Sequence, residues 1–103
     1  MKSMLHLVNK SPTDRNSLDS CLRLAKTGSS VLLIEDGVYA ALDKATHADA
    51  ITGRMDELTF YVLGPDVSAR GLDDKTLVDG INVVDYEGFV DLVVEHEVAQ
   101  SWL

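Results

Sequence analysis

Short apolar runs and helix-like stretches take turns along the entire chain. Met4–Val8, Val31–Ile34, Leu58–Leu63 and Ile81–Val84 are rich in β-branched, aromatic or leucine residues and predict strands. Val31-Leu32-Leu33-Ile34 has no polar member, as expected of a strand buried on both faces. Ser11-Pro12 ends the first run, and Thr13 or Asp14 is a suitable cap for a helix reaching about Thr27, with Gly28 as its stop. A short helix is predicted from Val38 to about Lys44, and a weaker helical piece from His47 to about Arg54. Gly64-Pro65-Asp66 opens a single helical turn ending near Arg70-Gly71. Asp85 caps a last helix from Tyr86 to about Val98, with Glu87 complementing the positive end of its dipole.

Alternation of this kind implies an α/β fold with a mostly parallel sheet and helices on its faces. Right-handed crossovers make it three-layered, like a flavodoxin or Rossmann domain. A chain of 103 residues is expected to form one domain around one core. In such folds the loops at the carboxyl ends of the strands usually build the site. Those loops are Asn9–Thr13, Glu35–Val38, Gly64–Ser68 and Asp85–Gly88.

Charge and motif content narrow the chemistry. Nine Lys and Arg against 17 Asp and Glu leave a net charge of −8, which repels a phosphate backbone and disfavours direct nucleic-acid binding. The same charge serves solubility. No run is long enough to span a bilayer, and Met1-Lys2-Ser3 begins no secretory signal, so no membrane association and a cytoplasmic location are expected. Neither GxGxxG nor GxxxxGK[ST] occurs, so no nucleotide cofactor is expected. His6, His47 and His96 fall in separate elements and Cys21 is the only cysteine, so no metal is expected and no internal disulfide can form. Arg70, amid Asp66, Asp73 and Asp74, reads as a surface ion-pair residue.

Cys21 shares one arc of about 100° on the first helix with Leu18, Leu22 and Ala25. That position suits a buried structural cysteine, while a reactive thiol would need exposure and a lowered pKa. On the last helix Tyr86, Phe89, Val90, Leu92, Val93 and Val94 cover about 200°, with His96 inside the arc. One reading packs the helix deeply on its own sheet with His96 satisfied locally. The other packs one side on the sheet and the other on a second subunit, with Trp102-Leu103 adding apolar surface.

The ordered set Met4-Leu5-His6, Lys10-Ser11-Pro12, Leu33-Ile34-Glu35-Asp36-Gly37-Val38, Ala69-Arg70-Gly71-Leu72, Asp85-Tyr86-Glu87-Gly88-Phe89-Val90 and Trp102 resembles the DsrH/TusB family over essentially the whole chain. The resemblance implies a subunit of a sulfur-relay complex handling persulfide sulfur. It implies DsrE/TusD-like and DsrF/TusC-like partners of the same fold in a heterohexamer with two of each, and a DsrC/TusE-like sulfur carrier. The main sulfur-carrying cysteine is then expected on the DsrE/TusD-like subunit. A cysteine in the first helix is a feature of DsrH-type members, which points to dissimilatory sulfur oxidation, with tRNA wobble 2-thiouridine synthesis as the alternative. It also makes Cys21 a candidate accessory persulfide carrier, its thiolate attacking the outer sulfur of a donor persulfide. The rival is a non-catalytic structural subunit. A small-ligand-binding flavodoxin-like domain is a third class, weakened by the missing phosphate motif.

Overall fold

Strand-forming segments lie where the alternation places them, and one more joins them. The computed structural model describes residues 4–13, 16–45, 47–96 and 98–102. Its strands are β1 (Met4–Val8), β2 (Ser30–Leu33), β3 (Thr59–Leu63), β4 (Asn82–Val84) and β5 (Val98–Trp102). All pair in parallel, in the order β4-β3-β2-β1-β5. Every residue of β2 is buried, as its unbroken apolar run requires. The fifth strand, Val-Ala-Gln-Ser-Trp, lacks an apolar run and lies at a sheet edge, where pairing with β1 supplies what side-chain pattern does not.

The helices are α1 (Ser17–Leu24), α2 (Ala48–Thr52), α3 (Gly64–Ala69) and α4 (Tyr86–Glu95), with a 3₁₀ helix over Glu35–Ala41. Several depart from expectation. The first is shorter at both ends: Thr13 lies in a turn, bonded to Ser11 at 2.9 Å, and Asp14 lies outside the described residues. Asn16 precedes α1 without a side-chain cap. Gly28 does not stop it. Ala25 already turns extended, and Gly28, at φ +94°, shapes the turn into β2 while its N–H donates to Glu57 at 2.7 Å. The 3₁₀ helix begins three residues before the predicted Val38 because Glu35 takes φ +49° straight after the sheet. Helix α4 ends at Glu95, since His96 becomes extended and the chain enters β5.

Strand order dictates where the helices go. From β1 to β4 each connection steps to the next strand in one direction, so right-handed crossovers stack α1, the 3₁₀ helix, α2 and α3 on one face. The step from β4 to β5 returns across three strands, which puts α4 alone on the other. The core is correspondingly lopsided. The larger cluster gathers Val8, Leu18, Cys21, Val31, Leu33 and Phe60, while a smaller cluster on the α4 side joins Leu5, Leu32 and Leu92 among the described residues.

Candidate functional site

The carboxyl-end loops of β2 and β3 are tied together by polar contacts across long sequence distances, and the β2 loop also packs on the end of β1. The Asp66 carboxylate, in the first turn of α3, accepts from the Glu35 backbone N–H at 2.6 Å and so holds that residue in its left-handed conformation. Arg70 donates to Asp36 at 2.9 Å and to the Asp66 carbonyl at 3.3 Å. Its ion pair therefore reaches back to the 3₁₀ helix, while Asp73 accepts instead from Ser68 at 2.7 Å. Gly37 fits where its backbone presses on β1: a Cβ there would stand 2.1 Å from the Val8 carbonyl oxygen. Asn9, next along β1, encloses an Oδ1 with no hydrogen-bond donor among the described residues. Asp85 belongs to structure, its Oδ1 accepting from Gly88 N–H at 2.8 Å as a helix cap.

Cys21 is not brought to these loops. Its thiol is enclosed in the larger core cluster. Burial pushes it up to about 12, opposed in part by the positive charge of Arg54. Arg54 itself ties down the end of α1, donating to the Leu22 carbonyl and, at 3.0 Å, to that of Ala25. An accessory carrier needs a reachable thiolate, and in this conformation Cys21 is an enclosed thiol. A cleft of about 400 Å³ beside the β1 loop is lined by Ser11, Pro12, Thr13, Tyr39, Lys44 and His47, away from Cys21.

The three histidines stay apart. His47 stands 3.6 Å from Asp19. The His96 Nδ1 donates to the Leu92 carbonyl, which can only accept, at 2.6 Å, and Nε2 pairs with the Ser30 hydroxyl at 3.0 Å. The local reading of His96 is the one observed. His6 Nδ1 accepts from Trp102 Nε1–H at 3.0 Å, across the β1–β5 pair. Burial lowers the His6 pKa, and its Nε2 finds no partner among the described residues. Trp102 is thus committed to its own sheet rather than hanging as a tail, and Leu103 lies outside the described residues. Among the described residues no group of three or more His, Cys, Asp or Glu is placed to hold a metal ion. No helix among them is long and apolar enough to cross a membrane.

Sequence reasoning did not single out Arg54, Asn9 or the His6–Trp102 pair. Arg54 and His6 meet partners up to 96 residues away, and no local pattern encodes such pairings or the enclosure of Asn9.

Comparison with known proteins places this architecture. The family model described as DsrH like protein matches residues 10–99. A Protein TusB from Pectobacterium parmentieri is 37% identical over 100 residues, covering 96% of this chain and 100% of the relative. Those of Shigella flexneri and Escherichia coli strain K12 are 39% and 38% identical over 101 residues, with the same coverage. The solved ychN protein from E. coli superimposes with a TM-score of 0.85 at 15% identity, over 98% of this chain and 99% of that one. A protein of unknown function from Methanobacterium thermoautotrophicum gives 0.75 at 14% identity, with the same coverage. The two solved structures share the fold.

Proposed function

The chain belongs to the DsrH/TusB family, and from that membership we propose that it is a TusB-type, non-catalytic subunit of a cytoplasmic sulfur relay serving tRNA wobble 2-thiouridine synthesis. The observation that carries this reading is the end-to-end match to proteins named TusB. It reverses the preference for sulfur oxidation that the first-helix cysteine suggested, since Cys21 is a core residue here and its burial weakens that cue. In this reading the chain pairs with TusC-like and TusD-like subunits, two of each in a heterohexamer, and sulfur passes to a TusE-like carrier. The persulfide is carried by the TusD-like partner, and Cys21 contributes packing.

Deleting the gene and measuring tRNA nucleosides by mass spectrometry tests the pathway. Loss of wobble 2-thiouridine, restored by the wild-type chain and equally by Cys21→Ala, is expected. Intact thiolation alongside failed sulfur oxidation would instead return the Dsr reading. Restoration by wild type but not by a folded Cys21→Ala chain would make Cys21 a carrier.

A further inference from the structure

We propose that the cleft between the end of α1 and the β1–β5 edge of the sheet binds a small organic acid, its carboxylate held by His6, Ser29 and Lys26 and its apolar body lying against the ring of Trp102. The site does not depend on the sulfur-relay reading, and Cys21 is not among its described lining residues.

Strand pairing creates the cleft. Side chains alternate along β1, so Leu5 and Leu7 join the α4-side cluster while His6 and Val8 turn to the face that α1 covers. On the neighbouring edge strand Gln100 and Trp102 pair with His6 and Val8 in register and share that face. Helix α1 ends at Leu24 and Ala25 is already extended, so the helix stops short of roofing this corner. What remains is a hollow of about 250 Å³, walled by the sheet residues on one side and by Leu24, Lys26 and Ser29 on the other. A water molecule in the liquid takes about 30 Å³, so the hollow has room for an organic acid the size of benzoate.

Its polar groups call for an acceptor. Trp102 Nε1 can only donate, so the His6 Nδ1 that receives it carries no proton, and the neutral ring holds its hydrogen on Nε2. Burial keeps the ring neutral by lowering its pKa. His6 is 4% exposed, and this Nε2 donor meets no acceptor among the described residues. An enclosed donor without an acceptor is costly, which makes it a ready point of attachment for one. Ser29, also 4% exposed, adds a hydroxyl to the same hollow. Lys26 is the one charged side chain among the described lining residues, a cation in a chain whose net charge is −8. Two neutral donors and an ammonium, with no carboxylate beside them among those residues, select an anion with closely spaced acceptors.

The rest of the lining is apolar. Leu24 and the indole of Trp102 offer a surface for a ring or a branched chain, and few polar groups on apolar walls are the usual make-up of a small-molecule site. An inorganic anion would leave that surface wet, whereas an acid with an apolar body covers it. Nε2 is enclosed in this conformation, but Leu24, Lys26 and Gln100 are exposed, and rotamer changes of such side chains are fast enough to open the way to it.

Benzoate is the probe, titrated into the full chain with the fluorescence of Trp102, its one tryptophan, as the readout. Saturable quenching is expected, with a dissociation constant of about 1 mM or tighter, and nitrogen-15 NMR should show the His6 Nε2 resonance moving over the same concentrations. Benzamide, similar in shape but uncharged, should bind about tenfold more weakly, and inorganic sulfate should leave Trp102 unchanged. Lys26→Gln and Ser29→Ala should each weaken benzoate binding about fivefold. Lys26→Gln, at an exposed position, decides the matter should Ser29→Ala unfold the chain. A chain whose Trp102 emission and His6 resonance both ignore benzoate would overturn the site. So would equal affinity for benzamide, or wild-type affinity in the folded variants, since the ligand would then be held elsewhere or by apolar contact alone. A sulfate response equal to that of benzoate would overturn the organic acid as the ligand.

Discussion

Cys21 and His6 show how burial sets the chemistry of single side chains. The Cys21 thiol is held up at about 12, above its ordinary 9.0, so the folded chain resists ionisation more than the unfolded one. Its stabilising contribution is complete below pH 9 and is lost as pH rises toward 12. Alkaline titration of stability should therefore show a decline that Cys21→Ala lacks, at a cost to that variant of about 1 kcal/mol near pH 7 for the small cavity left. Native alkylation by iodoacetamide should be slow until the chain unfolds. His6 works in the opposite direction. Its pKa is lowered, so below the ordinary value of 6.5 the unfolded chain binds more protons than the folded one, and stability falls with pH until the folded His6 also protonates. Protonation places a hydrogen on the nitrogen that accepts from Trp102, so acid also undoes that bond. Comparing wild type with His6→Phe between pH 7 and pH 5 isolates the effect, and the fluorescence of Trp102, the chain's one tryptophan, reports it. An identical acid limb in both chains would show that His6 plays no part.

Elements of this fold depend on a few positions where backbone meets backbone. Gly37 is one, because an added Cβ would collide with the Val8 carbonyl at 2.1 Å and neither backbone can yield cheaply. Gly37→Ala should cost about 3 kcal/mol or more, lowering the thermal midpoint by upwards of roughly 12 °C. The effect would spread to the β1 and β2 loops, since Gly37 seats the 3₁₀ helix that Asp36–Arg70 anchors. At the start of α4 the requirement is milder. Asp85→Ala removes one side-chain acceptor for Gly88 N–H and should cost about 1 kcal/mol, most of it recovered by Asp85→Asn, in urea denaturation.

At the scale of the whole molecule, strand order determines what truncation does. Cutting after Gln100 removes Trp102 from the sheet and with it the partner of His6. Such a cut therefore does not spare the domain's own sheet. The shortened chain should lose stability even alone, by roughly 2 kcal/mol, and denature at lower urea before any partner is added.

The alternation of apolar runs with helical stretches determined the α/β class, four of five strands and the capping of α4 by Asp85, because each depends on neighbours within a few residues. Cys21 on the apolar stripe of its helix was equally legible, though the angle alone left open whether its thiol was buried or reachable. Pairing across the chain was not legible. The strand Val98–Trp102, with no continuous apolar run, exists because β1 offers it a free edge, and no side-chain pattern announces an edge. Arg54 on the carbonyls of α1, Trp102 on His6, and the solitary position of α4 follow from strand order. Contacts that close only after distant segments fold together are decided by tertiary structure, since burial and hydrogen bonding act through space rather than along the chain.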